Sequence, residues 1–299
     1  VAFCQALEGL VEEDKEVPMR REKAKLAVDH ITGMASPTNA LLGNPAALKK
    51  AYETRGLSVL KGARNLLDDL KNNGGLPSQV DRTSLVVGRD LAVSAGGVGY
   101  RNKFVEILQY QPTTAQVYEI PLVVMTPQIN KFYFLDLAPG RSFVEYMTSQ
   151  GHQVFVVSWR NPGPQHGEWR LENYCEALVD AIGAVTEITR SPKVNTFGFC
   201  AGGITMSSLL SYLVHTGQGR KVNAVSYAVT LLDFCHPALI GILKSDYLLK
   251  FAKDASGATG VLDGARLATL FTMLRPKDLI WDNWVNNYVM GNPAPVFDI

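Results

Sequence analysis

The chain has 299 residues, enough to bury a full core, and its length is typical of one large domain or two modest ones. Hydrophobic residues make up 46% of it, charged residues 19%, and the formal net charge is +1. This composition lacks the basic excess of nucleic-acid-binding proteins, and no apolar run is long enough to span a membrane. The scattered cysteines have no C-x-x-C spacing, so we expect no disulfide framework, no metal site and a reducing compartment.

Residues 1–80 are predicted to form a helical N-terminal region. In the stretch 45–74, leucines recur at helical spacing, Pro45 falls in the first turn, and "NNGG" follows the end. The next stretch, 74–102, is rich in glycine and turn residues, and we interpret it as a linker. Its "GGVG" lacks the glycine spacing and the following helix of a dinucleotide-binding loop.

The pattern changes from residue 117 onward, where short runs rich in valine, phenylalanine and tyrosine alternate with helix-like segments. Nearly continuous apolar runs are typical of parallel strands that are covered on both faces. We therefore predict an α/β fold with a mainly parallel sheet. The predicted strands are 121–127, 153–159, 195–200 and 223–233, and the predicted helices are 139–150, 169–190 and 201–216.

The alternation stops after Asp233, and residues 237–290 have a mostly helical pattern. This pattern is typical of a helical cap, at about 235–290, inserted into a catalytic domain that spans 81–299. The chain begins at Val1 without a methionine and ends on "PAPVFDI", which resembles the start of another strand. We therefore expect a sheet that is incomplete at the C-terminus, in a chain truncated at both ends.

A cysteine stands between glycines in the segment Gly198-Phe199-Cys200-Ala201-Gly202. This segment fits the pattern G-x-nucleophile-x-G, and it follows a predicted strand and precedes a predicted helix, as that motif requires. The flanking glycines suit the sharp turn, and Gly203 would let the helix pack close to the sheet. A nucleophile at this point lies at a helix N-terminus, where an anion is stabilised. We predict that Cys200 is the nucleophile.

Two backbone N–H groups are needed to bind the oxyanion of an acyl-transfer intermediate. The first is expected from Ala201, which directly follows the nucleophile. In proteins with this strand–nucleophile–helix motif, the second comes from the loop after an earlier strand, which here is "TPQINKFY" at 126–133. Ile129 and Asn130 are both candidates, and the sequence does not distinguish them.

Sulfur at this position favours acyl transfer over hydrolysis. A few per cent of a free thiol is already thiolate at neutral pH, and a thiolate is a better nucleophile than an alcohol. A thiolate that attacks a thioester forms another thioester, so the acyl group stays activated for a second acceptor. An oxygen ester would have lost much of that driving force.

The visible histidines do not supply a convincing base for this thiol. His215 lies at the far end of the helix that Cys200 opens, and His152 and His166 resemble turn residues. Asp233 and His236 resemble a dyad, and Cys235 beside them hints at metal ligands, but neighbours on one strand end rarely converge on a group from another. The alternative interpretation is structural: Asp233 caps the start of the following segment.

Taken together, these stretches resemble the polyhydroxyalkanoate synthases, which polymerise (R)-3-hydroxyacyl-CoA into a storage polyester. The resemblance runs from about residue 80 to the end, whereas residues 1–79 are merely compatible with the helical N-terminal region of the family. Three stretches, "VGRDLAV", "PQINKFY" and "VNNYVMGN", are closer to the medium-chain class. The matching stretches are "QYQPTT", "PQINKFYFLDL", "GHQVFVVSWRNPGP", "GFCAGG", "TLLDF" and "LRPKDLIWDNWVNNYVMGNPAPVFDI".

The resemblance implies an α/β-hydrolase core with a mobile cap, usually in a homodimer on the surface of cytoplasmic polyester granules. It implies that Cys200 is the nucleophile and that the CoA thioester is a substrate, with no cofactor. The catalytic aspartate and histidine of the family come in later motifs that this sequence does not reach, so acid and base are expected outside this chain. Asp136 and Trp281 match shared positions, which we interpret as structural or channel-shaping.

Two other functions stay open at this point. One is a cysteine-dependent α/β hydrolase, such as a thioesterase or polyester depolymerase, with water as the acceptor. The other is a non-catalytic granule-associated partner in which the motif is vestigial. The intact glycines around Cys200 argue against a motif that has lost its function. The stretch "LRPKDLIWDNWVNNY" favours the synthase over the hydrolase.

Overall fold

A computed structural model of the chain describes residues 18–81, 83–233 and 246–296. The chain divides into two compact units. The first comprises residues up to Ser84 together with 246–258 and 262–296, and the second comprises 85–233 with 259–261. The predicted division at residues 80 and 81, with a cap at about 235–290, stays a prediction, and residues 234–245 of that cap lie outside the described residues.

From residue 18 onward, the described part of the first unit contains three α-helices before residue 73: α1 (Pro18–Met34), α2 (Pro45–Glu53) and α3 (Leu57–Asn72). Asn44 caps α2, because its side-chain oxygen accepts a hydrogen bond from the Ala47 N–H at 3.1 Å. The expected continuous helix is interrupted between α2 and α3, where Arg55 and Gly56 have φ of 51° and 84°. These left-handed residues end α2 and redirect the chain into α3.

The second unit is built on a six-stranded sheet in the order β1-β2-β4-β3-β5-β6. The four strands β3 to β6 run parallel to one another, while β2 is antiparallel to both of its neighbours, β1 and β4. The strands are β1 (Gly96–Arg101), β2 (Val105–Tyr110), β3 (Leu122–Met125), β4 (Val154–Trp159), β5 (Val194–Phe199) and β6 (Val222–Ala228).

Helices cover both faces of this sheet. Helix α4 (Phe143–Ser149) packs on one face through Val144, while α5 (Leu171–Thr189) and α6 (Ala201–His215) pack on the other. Residues alternate accordingly along β3, since Val123 belongs to one core cluster and Val124 to the other. The predicted α/β-hydrolase core, a mainly parallel sheet covered by helices, is confirmed.

The assignment of 74–102 to a linker is wrong at its end, since β1 occupies Gly96–Arg101 and pairs with β2. Three of the six residues of β1 are glycines and most of the strand is exposed, so it lacks the apolar alternation that identifies a strand. The predicted strand 223–233 is also shorter than expected, because β6 ends at Ala228.

The chain then returns to the first unit with α7 (Asp246–Thr259), α8 (Gly264–Leu274) and a helical segment, 277–289, that contains two π-helical turns. This segment packs closely on α3, because a Cβ at Gly62 would overlap the Tyr288 carbonyl. Buried Asp69 of α3 accepts a hydrogen bond from the Tyr288 hydroxyl at 2.7 Å. Within the described residues, no helix combines the length and apolar character needed to cross a membrane.

Candidate active site

The chain turns sharply between β5 and α6, and Cys200 is the residue at the turn. Its φ of 49° and ψ of −125° place a non-glycine residue in a sparsely populated region of backbone space. The Cys200 N–H donates to Ala228 O of β6 at 3.1 Å, and its carbonyl accepts from the Gly203 N–H at 3.0 Å. These bonds to the neighbouring strand and the helix hold the strained residue, whose side chain is partly exposed.

The three glycines around Cys200 allow the helix to approach the sheet. A Cβ at Gly198 would lie 2.6 Å from the Gly203 Cα, and one at Gly202 would overlap Met125 O and the Thr126 backbone. A Cβ at Gly203 would overlap the Thr230 side chain, which follows β6. The predicted close packing of α6 on the sheet is therefore present, and backbone atoms leave no room for a side chain at Gly198 and Gly202.

The first turn of α6 offers unpaired N–H groups beside Cys200. Within the described residues, the N–H groups of Ala201 and Gly202 make no hydrogen bond, as expected at a helix N-terminus. Because α6 has 15 residues, its dipole adds a partial positive charge at this end. The predicted oxyanion donor, Ala201, therefore has a free N–H next to the candidate nucleophile.

In the loop after β3, the N–H groups of the two remaining candidates for an oxyanion donor differ in their hydrogen bonding. The Asn130 N–H donates to Pro127 O at 3.2 Å in a tight turn, so that group is occupied. The Ile129 N–H, by contrast, makes no hydrogen bond to any part of the chain that the structure describes. The geometry thus favours Ile129 over Asn130.

Three side-chain hydrogen bonds anchor this loop. The Thr126 hydroxyl donates to Val157 O of β4 at 2.6 Å, and the Trp159 indole N–H donates to Thr126 O at 2.7 Å. The Gln128 amide donates to the Thr205 hydroxyl of α6 at 2.6 Å. The loop is therefore tied both to the sheet and to the helix that begins after Cys200.

An aromatic cluster lies on the sheet face beside the motif. Phe199, which precedes Cys200, stacks on Phe197 with 4.7 Å between the ring centroids. Phe143 of α4 and Phe134 contact Phe199 edge-on, with centroids at 5.3 Å and 6.1 Å. These rings pack against the core cluster on the sheet face that α4 covers.

The histidines of the second unit do not form a hydrogen bond with Cys200 in the described residues. His152 precedes β4 and so lies at the opposite end of the parallel strands from Cys200. His166 accepts from the Gly163 N–H at 2.8 Å and stacks on Trp169. His215 is exposed at the far end of α6.

The structure describes only one member of the suspected dyad of Asp233 and His236. Asp233 is exposed, and both His236 and Cys235 lie outside the described residues. No group of three or more potential metal-ligating side chains comes together within 18–81, 83–233 and 246–296. The expectation that acid and base lie outside this chain stays a prediction.

The two shared positions outside the motif both occupy packed sites. Asp136 is 1% exposed, and its carboxylate accepts from the hydroxyls of Ser94 and Ser142 at 2.6 Å and 2.7 Å. In the first unit, Trp281 packs against Gly33 of α1, where a Cβ would overlap the indole ring. The structural or channel-shaping role of these two residues stays a prediction.

Sequence reasoning missed three polar residues that support the motif: Gln128, Thr205 and Thr230. The Thr230 hydroxyl donates to Ala228 O at 3.0 Å and lies 3.3 Å from Gly198 O, directly behind the turn. Thr205 follows Cys200 by little more than one helical turn, so its position alone was a usable signal. Gln128 and Thr230 carried no usable signal, because the contacts that tie them to the motif, with Thr205 and with Gly198, join positions distant in sequence.

A family model described as the N-terminus of poly-beta-hydroxybutyrate polymerase (PhaC) matches residues 2–147. The match includes residues 2–79, where the sequence itself carried little sign of the family. The chain is also 44% identical, over 93% of its length, to poly(3-hydroxyalkanoate) polymerase 2 of Ectopseudomonas oleovorans, of which it covers 50%.

Two further relatives agree with this match. Poly(3-hydroxyalkanoate) polymerase 1 of the same organism is 42% identical over the full chain, which covers 53% of that protein. The polymerase subunit PhaC of Cupriavidus necator is 36% identical over 99% of the chain, which covers 51% of it. The chain thus spans about half the length of these relatives. These matches show that the chain is similar, over about half the length of each relative, to poly(3-hydroxyalkanoate) polymerases.

Proposed function

We propose that this chain carries the nucleophile of an acyltransferase that polymerises (R)-3-hydroxyacyl-CoA into polyhydroxyalkanoate and releases CoA. The observation that carries the proposal is the strained turn at Cys200, which places a thiol at the start of α6 beside free N–H groups. The relatives are named as polymerases, which supports the same reaction class.

In the proposed first step, the Cys200 thiolate attacks the carbonyl carbon of the CoA thioester. The carbonyl oxygen becomes an oxyanion, which the N–H groups of Ala201 and Ile129 stabilise by hydrogen bonds. The intermediate collapses, the bond from carbon to the CoA sulfur breaks, and CoA leaves as a thiolate. The product is an acyl thioester on Cys200.

In the second step, the 3-hydroxyl of another acyl unit attacks this thioester, and its proton passes to a general base. The new oxygen ester lengthens the polymer, and the Cys200 thiolate is regenerated. We expect the base from a histidine, and its acidic partner from an aspartate, outside this chain. No cofactor or metal takes part in either step.

We propose a medium-chain 3-hydroxyacyl-CoA as the preferred substrate. The stretches "VGRDLAV", "PQINKFY" and "VNNYVMGN" support this preference. Each additional buried methylene contributes up to about 0.8 kcal/mol, so a few carbons suffice for a large preference. A higher kcat/KM for 3-hydroxybutyryl-CoA than for a medium-chain thioester would contradict this proposal.

The proposed binding partners rest on the resemblance to the polymerases and not on the geometry of the candidate active site. We propose that the working protein is a homodimer on the surface of cytoplasmic polyester granules, in contact with the growing chain. Fluorescence microscopy of a tagged protein in polymer-accumulating cells tests the location, and sedimentation tests the dimer.

The reaction is tested by supplying 3-hydroxyacyl-CoA to a polymerase that contains this chain and measuring CoA release and product size. High-molecular-mass polyester supports the proposal, free hydroxy acid would indicate a hydrolase, and no CoA release would indicate a non-catalytic partner. We expect Cys200→Ala to abolish release and Cys200→Ser to lose most of it, since a hydroxyl is the weaker nucleophile. Polymerisation by Cys200→Ala would exclude Cys200 as the nucleophile.

A further inference from the structure

Two candidate oxyanion donors, Ala201 and Ile129, lie on different elements of the second unit. Ala201 begins α6, and Ile129 lies in the loop after β3. Removal of one donor from an oxyanion hole typically slows acyl transfer about 100- to 1,000-fold, so the spacing of the two N–H groups matters. Some contact must therefore hold the loop in register with the helix.

One side-chain relay joins these two elements. The Gln128 amide donates to the Thr205 hydroxyl at 2.6 Å, and that hydroxyl donates to Ala201 O at 3.1 Å. A hydroxyl has one proton to donate and lone pairs to accept, so Thr205 can make both bonds at once. The relay thus runs from the residue before Ile129 to the carbonyl of Ala201 itself.

The side chains of this relay are largely buried rather than exposed on the surface. Thr205 is only 4% exposed, and Gln128 is half-buried. A buried hydrogen-bonding group that loses its partner is costly, which favours the bonded arrangement. Ile129, by contrast, has an exposed side chain and a free N–H, so apart from the turn that Pro127 and Asn130 close, no hydrogen bond of its own in the described residues fixes its position.

We propose that Gln128 and Thr205 are positioning residues that set the oxyanion hole, by fixing the Ile129 N–H relative to the Ala201 N–H. This inference rests on the proposed function. Neither side chain touches the thiol in the proposed reaction, so the relay affects the acylation of Cys200 but not the generation of its thiolate.

Two reactions of the same sulfur separate this role from general damage. Acylation by 3-hydroxyoctanoyl-CoA passes through an oxyanion, whereas alkylation by iodoacetamide requires the thiolate alone. Both are single events on Cys200, and mass spectrometry of the folded 299-residue chain follows each of them. Far-UV circular dichroism confirms that each variant is folded.

We expect Gln128→Ala and Thr205→Val to slow acylation about 10- to 100-fold, which is no more than the effect of removing one oxyanion donor altogether. The rate of alkylation should change less than about twofold. The double variant should be no slower than the worse single variant, because both remove one relay. Thr205→Ser, which keeps the hydroxyl, should restore acylation.

A matched control is available in the same unit. Gln218 donates to the Thr216 hydroxyl at 3.2 Å on the exposed surface beyond the end of α6, and Gln218→Ala should leave both rates unchanged. Wild-type acylation in all relay variants would overturn the positioning role alone, as would an equal fall in acylation and alkylation. Absence of acylation in the wild type, with intact alkylation, would overturn the proposed function and this inference with it.

Discussion

Replacing Gly202 with alanine tests whether close packing of α6 on β3 defines the candidate active site. A Cβ at this position would overlap Met125 O and lie 2.7 Å from the Thr126 carbonyl carbon, where ordinary contacts are 3.4–4 Å. The obstacle is backbone in a central strand, so it cannot rotate away. Overpacking of this kind typically costs about 1–3 kcal/mol.

Gly183 in α5 provides a matched control, since a Cβ there would meet no atom within 4 Å. Alanine is favoured over glycine in the middle of a helix by roughly 0.5–1 kcal/mol, and Gly183→Ala gains this amount, whereas Gly202 lies in the first turn of α6. The difference between the two variants therefore combines this gain with the steric cost at Gly202. We expect Gly183→Ala to be more stable than the wild type, and Gly202→Ala to be less stable than Gly183→Ala by about 2 kcal/mol.

Urea denaturation followed by circular dichroism measures this difference for the two variants and the wild type. Because the shift of α6 would also move the Ala201 N–H, Gly202→Ala should lose acylation of Cys200, whereas Gly183→Ala should retain it. Equal stability of the two alanine variants, together with equal acylation rates, would refute the packing argument.

Three further predictions follow from the second unit. Iodoacetamide should modify Cys200 well before Cys175, because burial and the neighbouring glutamates raise the pKa of the Cys175 thiol; peptide mapping that finds Cys175 modified first would contradict this. Asp136→Ala should cost about 3 kcal/mol in a urea melt, since it leaves the hydroxyls of Ser94 and Ser142 without their acceptor, and a loss below about 0.5 kcal/mol would show that these bonds add little. Finally, this chain should show no sustained CoA release, whereas a version extended to the full length of its relatives should; repeated turnover by the chain alone would place a base within it and make Asp233 and His236 the first pair to mutate.

The interior of the sheet was predictable because buried parallel strands carry a strong apolar signal. The strands β3, β4 and β5 were placed to within two residues or so of their observed ends, and so were α5 and α6. The strand β1 was missed because its glycines and exposed positions produce no such signal. The interruption at Arg55 and Gly56 was missed because leucine spacing continues across it.

Some features of the candidate site could likewise be predicted from the sequence, and others could not. The motif around Cys200 was readable because its glycines, its strand and its helix are adjacent in sequence. The sequence could not decide between Ile129 and Asn130, because the choice depends on which of the two N–H groups donates to Pro127 O in the folded turn. The bond from Gln128 to Thr205 spans 77 positions of sequence and is visible only once the chain is folded.

The central claim is that Cys200 carries the acyl group, and peptide mapping of the acylated protein tests it most directly. The protein is mixed with 3-hydroxyoctanoyl-CoA, quenched in acid to preserve the thioester, digested, and analysed by mass spectrometry. We predict the mass of one hydroxyoctanoyl group on the peptide that contains Cys200, and its absence from the Cys200→Ala variant. An acyl group on any other residue of the wild type, or undiminished acylation of the variant, would contradict the account.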